Sequence, residues 1–208
     1  MFEPHTLALD HSQGERLDID AYRREFRLYR SEIRDRDSWK FERRQYFEEQ
    51  RSPGRDAFRQ DDWEGAMRIL AERRESILRS VREDYENRTN FYRVRVVEEP
   101  ISAYLQWELR SLRMQADCGK PIRVISAEAV SALEAGRLLP EVVVLGAQTL
   151  YEVVYTDAGV PDSAVRFTNA ELVNNWIEFI KELYDTGEGV VSYVDRQVSH
   201  LPPPQATR

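Results

Sequence analysis

Between Phe91 and Leu109 the chain changes its period. In Tyr92-Arg93-Val94-Arg95-Val96-Val97 the side chains alternate, so Val94 and Val96 share one face of a strand while Arg93, Arg95 and Val97 share the other. Past Pro100 the apolar positions Ile101, Tyr104, Leu105 and Leu109, with Glu108, recur at three- and four-residue steps, which predicts a helix carrying Pro100 in its first turn. A second strand at Ile122-Arg123-Val124-Ile125 completes a βαβ unit with parallel strands. Ser126 then caps a short helix containing Val130 and Leu133. The runs Val142–Leu145, Leu150–Tyr155 and Val165–Phe167, joined by short glycine-containing links, predict an antiparallel meander. Thr168 or Asn169 caps a last helix with Leu172, Trp176, Phe179, Ile180 and Leu183 on its apolar side. From residue 91 the order is β-α-β-α-β-β-β-α.

Upstream, the same reading gives helices. Asp18 or Asp20 caps one whose apolar stripe is Tyr22, Phe26, Tyr29 and Ile33. A second is expected from about Asp37 to Gln50 with Trp39, Tyr46 and Phe47, ending at Ser52-Pro53-Gly54. A third and longest starts at Asp61 or Asp62 and carries Trp63, Met67, Leu70, Ile77 and Val81, with Arg74 where an apolar residue would complete a heptad. The expected fold is α+β, a helical N-terminal region followed by a mixed β-sheet flanked by helices. Residues 1–17 are expected as a disordered N-terminus, 18–90 as the helical region, 91–194 as an α/β domain and 195–208 as a Pro-rich tail.

Charge sharpens that division. Residues 1–90 hold 19 Lys/Arg and 21 Asp/Glu, far denser than the remainder. The net charge of -7 opposes bulk attraction to nucleic acid or an anionic membrane. No apolar run approaches the roughly 20 residues of a membrane span, and the first 20 residues have no basic start followed by an apolar stretch, so a cytoplasmic, membrane-free protein is expected. At 208 residues the chain buries a core without staples, and the lone Cys118 has no disulfide partner.

Catalytic constellations are missing from the pattern. His5, His11 and His200 lie near the ends, and one cysteine with scattered histidines supplies no zinc set. There is no Walker loop, dinucleotide glycine triplet or nucleophile elbow, so neither catalytic residues nor a metal or cofactor is assigned. Two clusters suit recognition. The first, at the strand-to-helix junction, gathers Arg93, Arg95, Glu98, Glu99, Tyr104, Trp107 and Glu108. Arg123 on the next strand extends it, at the carboxyl end of parallel strands where open α/β folds place ligands. The competing structural reading makes it an Arg/Glu network over a buried aromatic pair. The second is the arginine-rich stretch Arg23 to Arg59 with Tyr22, Tyr29, Trp39, Tyr46 and Phe47. Its interleaved Glu and Asp residues favour contact with protein over nucleic acid.

The residues Arg93-Val94-Arg95-Val96-Val97-Glu98-Glu99-Pro100-Ile101-Ser102-Ala103-Tyr104-Leu105-Gln106-Trp107-Glu108-Leu109, followed by Gly119-Lys120-Pro121-Ile122-Arg123-Val124, resemble the actinobacterial domain-of-unknown-function 6879 family, with its RVRVV-x-x-P-x-x-YL-x-x-EL element. The resemblance implies cytoplasmic proteins that often accompany helix-turn-helix regulators. The chain departs from the family at Leu139–Gly146, where an acidic-aromatic strand is usual. The β-α-β-β-β-α order is also similar to one half of a phospholipase D-like domain, whose catalytic His-x-Lys-x4-Asp set this chain lacks.

Two functions are therefore expected in competition. One is a non-catalytic regulatory or accessory protein that binds a partner protein, a helix-turn-helix transcription regulator, through its N-terminal helices, with a homo-oligomer also open. The other is a degenerate phospholipase D-like enzyme or small-molecule sensor that holds an anionic ligand with Arg93, Arg95, Tyr104 and Glu108, since guanidinium forks suit carboxylates and phosphates.

Overall fold

The computed structural model describes residues 4–134 and 136–205. Eight strands form one mixed sheet: β1 (Glu15–Asp18), β2 (Ser38–Glu42), β3 (Phe91–Val97), β4 (Ile122–Ser126), β5 (Glu141–Leu145), β6 (Thr149–Tyr155), β7 (Pro161–Phe167) and β8 (Glu188–Gly189). Their spatial order is β1-β7-β6-β5-β2-β3-β4-β8. β2, β3 and β4 are parallel neighbours, and every other pairing is antiparallel. The helices are α1 (Ile19–Glu32), α2 (Pro53–Arg59), α3 (Trp63–Glu72), α4 (Arg74–Glu86), α5 (Ala103–Asp117), α6 (Ala170–Thr186) and α7 (Val190–Gln197).

The mixed α+β class, the β3-α5-β4 unit and the β5-β6-β7 meander follow the sequence pattern. Caps settle the helix starts: the Asp18 carboxylate accepts from the Ala21 N–H, Asp62 from Gly65, and Asn169 from Leu172. Four expectations need correction. Residues 37–50 are not a helix: Ser38-Trp39-Lys40-Phe41-Glu42 alternates and inserts as β2 between β3 and β5, because pairing on both edges satisfies its backbone. Residues 4–17 are not a disordered leader: β1 pairs with β7, and Leu7 is buried against α6 and its neighbours. The long helix from Asp62 breaks at Arg73 into α3 and α4, where Arg74 had interrupted the apolar stripe. Pro100 lies before α5 and not in its first turn, since the Ser102 hydroxyl caps by accepting from the Leu105 N–H at 3.2 Å.

One sheet face is mainly apolar. Trp39, Phe41, Val94, Val96, Val142 and Val144 pack under α6, whose Val173, Trp176, Phe179 and Ile180 fill the layer. Each such buried side chain contributes roughly 1.5–3 kcal/mol. The opposite face is covered in two parts. α1 places Tyr22, Phe26, Tyr29 and Ile33 over Leu17, Val143, Leu145 and Tyr151. α5 and α7 cover β3 and β4 through Leu105, Leu109, Leu112, Tyr193 and Val194, while α2 and α3 pack behind α5 on Phe58, Leu70, Tyr104 and Trp107. Between α1 and α5 the middle of this face stays open. Among the described residues no helix is long and apolar enough to cross a membrane.

Candidate functional site

The uncovered strip of sheet is made of charged side chains. The register places Lys40 beside Arg93 on one flank and Val143 on the other; two residues along, Glu42 lies beside Arg95. Continuing the β2–β5 register sets Glu141 opposite Glu42. Adjacent strands run about 4.8 Å apart, so two short ranks form, Val143–Lys40–Arg93 and Glu141–Glu42–Arg95. Glu108 reaches down from α5 onto the second.

Arg95 and Glu108 are committed to each other. The fully buried guanidinium donates to Glu108 Oε2 from Nε at 2.9 Å and from Nη2 at 2.8 Å. Its Nη1 donates to the carbonyls of Val96 at 2.9 Å and Glu42 at 3.4 Å. Burial pushes the Arg95 guanidinium down, but Glu108 and Glu42 more than offset this, so it stays charged. Burial raises the Glu108 carboxyl above its ordinary value, against the pull of Arg95.

Glu42 and Glu141 differ although they are neighbours. Burial pushes Glu42 up, yet Arg93, Lys40 and Arg95 together outweigh it and hold its carboxyl at about 2. Its Oε1 meets Lys40 Nζ at 2.5 Å, and its Oε2 lies 3.6 Å from Arg93 Nε, beyond hydrogen-bond distance. Glu141 makes no ion pair among the described residues, and the charge of Arg95 is too weak to offset its burial. Its Oε1 accepts from the backbone N–H groups of Arg43 at 2.8 Å and Arg44 at 2.6 Å, while burial, aided by Glu42, raises its carboxyl to about 7. Both Glu42 Oε2 and Glu141 Oε2 are buried without a hydrogen-bond partner, a costly state in a protein interior.

Two cavities meet over this strip. One, of about 270 Å³, is walled by Tyr22, Phe26, Phe91, Val143 and Val153 and bordered by Arg23, Lys40, Arg93 and Glu141. The second, of about 360 Å³, is polar, lined among others by Glu42, Glu49, Arg73, Glu108 and Gln115. They share Arg23, Lys40, Arg93, Tyr155 and Pro161. A third, of about 250 Å³, reaches Arg93 from the side of Phe91, Arg30 and Lys120. Arg93 thus stands where three cavities join. Among the described residues its guanidinium makes no hydrogen bond, and its one ion pair is the 3.6 Å approach to Glu42.

The residues expected to act together are divided by the fold. Arg93, Trp107 and Glu108 line the cleft. Arg95 lies beneath it, and the Tyr104 hydroxyl donates to Glu49 Oε1 at 3.3 Å within the aromatic packing behind α5. Glu98 is held by Arg43 at 2.6 Å, in a clamp that Glu134 completes beyond the end of β2. Arg123 does not join the site, because alternation along β4 turns it to the α6 face, over the Tyr184 ring and onto the Gly187 carbonyl at 2.8 Å. Arg23, expected in the arginine-rich stretch, reaches the cleft from α1, while Lys40, Glu42 and Glu141 are not among the expected site residues. Their one sequence signal was the charged alternation Lys40-Phe41-Glu42, which resembles that of Arg93-Val94-Arg95.

Distant likenesses among solved structures include TrmBL2 and a phosphatidylserine synthase. TrmBL2, an archaeal chromatin protein that binds DNA, has 7% identity and a TM-score of 0.46, with 85% of this chain and 53% of that one covered. Phosphatidylserine synthase of Haemophilus influenzae Rd KW20 has 14% identity and a TM-score of 0.49, with 94% and 41% covered. The chain spans about half or less of the length of each. No curated protein matches it. A family model does match, over residues 25–195, a span that holds the charged strip and the α5 wall of the cleft and begins within α1, after Tyr22 and Arg23; the chain belongs to the family described as a domain of unknown function, DUF6879.

Proposed function

We propose that this protein is a non-catalytic accessory protein that binds a small amphipathic acid in the cleft between α1 and α5 and passes the occupied state to a partner protein through α1. The observation that carries the reading is Arg93: a guanidinium with no hydrogen bond among the described residues, at the junction of three cavities, beside Lys40 and Arg23 and next to an aromatic-walled chamber. Guanidinium forks hold carboxylates in a bidentate geometry, and Tyr22, Phe26 and Phe91 supply an apolar wall for the rest of the molecule. The two chamber volumes lie on either side of the lower end of the range for ligand sites, about 300–1,000 Å³, which favours a compact ligand. α1 carries Tyr22, Arg23 and Phe26 inward and exposes Arg24, Arg27 and Leu28 outward, so the element that touches the ligand also presents the partner surface.

The test is thermal unfolding of the whole chain with 3-phenylpropanoate. At about a hundredfold over Kd, binding adds about 2.7 kcal/mol, a rise of about 5–11 °C in Tm for a chain of this size. Arg93→Met should abolish the rise. No rise in the wild type, or an equal rise in the variant, overturns the reading.

A further inference from the structure

The acid-binding reading leaves the two buried carboxylate oxygens unexplained. Glu42 is 4% exposed and Glu141 6% exposed, and in each Oε2 lacks a hydrogen-bond partner. They stand side by side on neighbouring strands, Glu42 lining the polar chamber and Glu141 the aromatic one. Lys40, two residues before Glu42 on β2, and Arg93, its neighbour on β3, border both chambers. A ligand bearing only a carboxylate would satisfy the arginine and leave two acceptors stranded. It would also bring a further anion toward them.

We infer that the cleft takes an aromatic α-amino acid: its carboxylate on Arg93, its ammonium between Glu42 Oε2 and Glu141 Oε2, and its ring against Tyr22, Phe26 and Phe91. This rests on the acid-binding reading and adds the second charged group. An ammonium offers three donors and accepts nothing, which is what two stranded carboxylate oxygens require. An α-amino acid holds its two charged groups a few ångströms apart, comparable with the 3.6 Å that separates Arg93 Nε from Glu42 Oε2. The charges also balance. Lys40, Arg93 and Arg95 face Glu42, Glu108 and Glu141, so a net-neutral zwitterion leaves the strip neutral with every carboxylate ionised. The remaining charges at the cleft are Arg23 and Arg73, with Glu48 and Glu49 opposite them. Glu48 is already paired with Arg59, and Glu49 accepts from Tyr104.

The experiment is calorimetric titration of the whole chain with three probes sharing one ring: L-phenylalanine, 3-phenylpropanoate and phenethylamine. Phenylalanine is expected to bind at least about tenfold tighter than 3-phenylpropanoate, in line with charge-assisted hydrogen bonds at a buried site, and tighter than phenethylamine. In Glu141→Gln, which keeps an oxygen for the two backbone N–H groups, the ratio of phenylalanine to phenylpropanoate affinity should fall below about threefold. Equal binding of the two acids by the wild type overturns the ammonium assignment and leaves the acid-binding reading standing. A preference unchanged in Glu141→Gln overturns the role of Glu141. Binding of phenethylamine as tight as that of phenylalanine, or no binding of either acid, overturns both readings.

Discussion

Replacing Glu141 by Gln is expected to stabilise the protein above neutral pH. The native carboxyl is raised by burial from 4.5 to about 7, so between those values the folded chain holds a proton that the unfolded chain has released. Stability therefore falls as pH rises from 4.5 to 7 and levels off above it, the sign opposite to that of a salt-bridged carboxylate. At about 1.4 kcal/mol per pH unit the loss amounts to about 3 kcal/mol. Gln carries no such penalty and keeps an acceptor for the Arg43 and Arg44 N–H groups, which donate to Oε1. Urea unfolding of both proteins from pH 4.5 to pH 8.5 measures the difference directly. The stability of the variant relative to wild type should rise by about 3 kcal/mol across that window, roughly 6–12 °C in Tm. Parallel curves would refute the argument and place the Glu141 carboxyl in water. Glu42, held at about 2 by its cations, acts in a separate window: its contribution is present above 4.5 and is lost as pH falls toward 2.

Removing one partner of the buried pair, by Glu108→Ala, should cost about 3–5 kcal/mol in urea unfolding, because it leaves Arg95 uncompensated; the double change Arg95→Met with Glu108→Leu should cost less than the single one. Gly146→Ala should cost about 1–2 kcal/mol, since Gly146 has φ +56° and a Cβ there would stand 3.1 Å from Ile33; an unchanged denaturation midpoint would contradict it. Trp176→Ala should cost about 3–5 kcal/mol by emptying a buried site against Phe41 and Phe179. A cost under about 1 kcal/mol would mean that α6 is not the main cover of the apolar face.

The parts of this fold legible in the sequence are those where one periodicity runs for six or more residues between clear stops. β3, α5 and α6 meet that condition, and the Asn169 cap sharpens the start of α6. β2 does not. Five residues long, it sits in the most charged part of the chain, and the seven-residue interval from Trp39 to Tyr46 imitates two turns of helix. β1 is shorter still, and only its pairing with β7, about 150 residues away, reveals it. The site fails to show for a related reason. Arg93 is visible as one face of β3, but Lys40, Glu42 and Glu141 come from strands distant in sequence and adjacent only through sheet pairing. Arg95 also looks equivalent to Arg93 in the alternation. What separates them is α5, which seals one with Glu108 and stops short of the other.

That difference offers the most direct test of the whole account. In a nitrogen-15 proton correlation spectrum of the arginine Nε–H groups, with Arg93 assigned from the peak missing in Arg93→Met, titration with 3-phenylpropanoate should move the Arg93 signal and leave that of Arg95, locked on Glu108, in place. An unmoved Arg93 signal at saturating acid would contradict the claim that this guanidinium is the anchor of a ligand cleft.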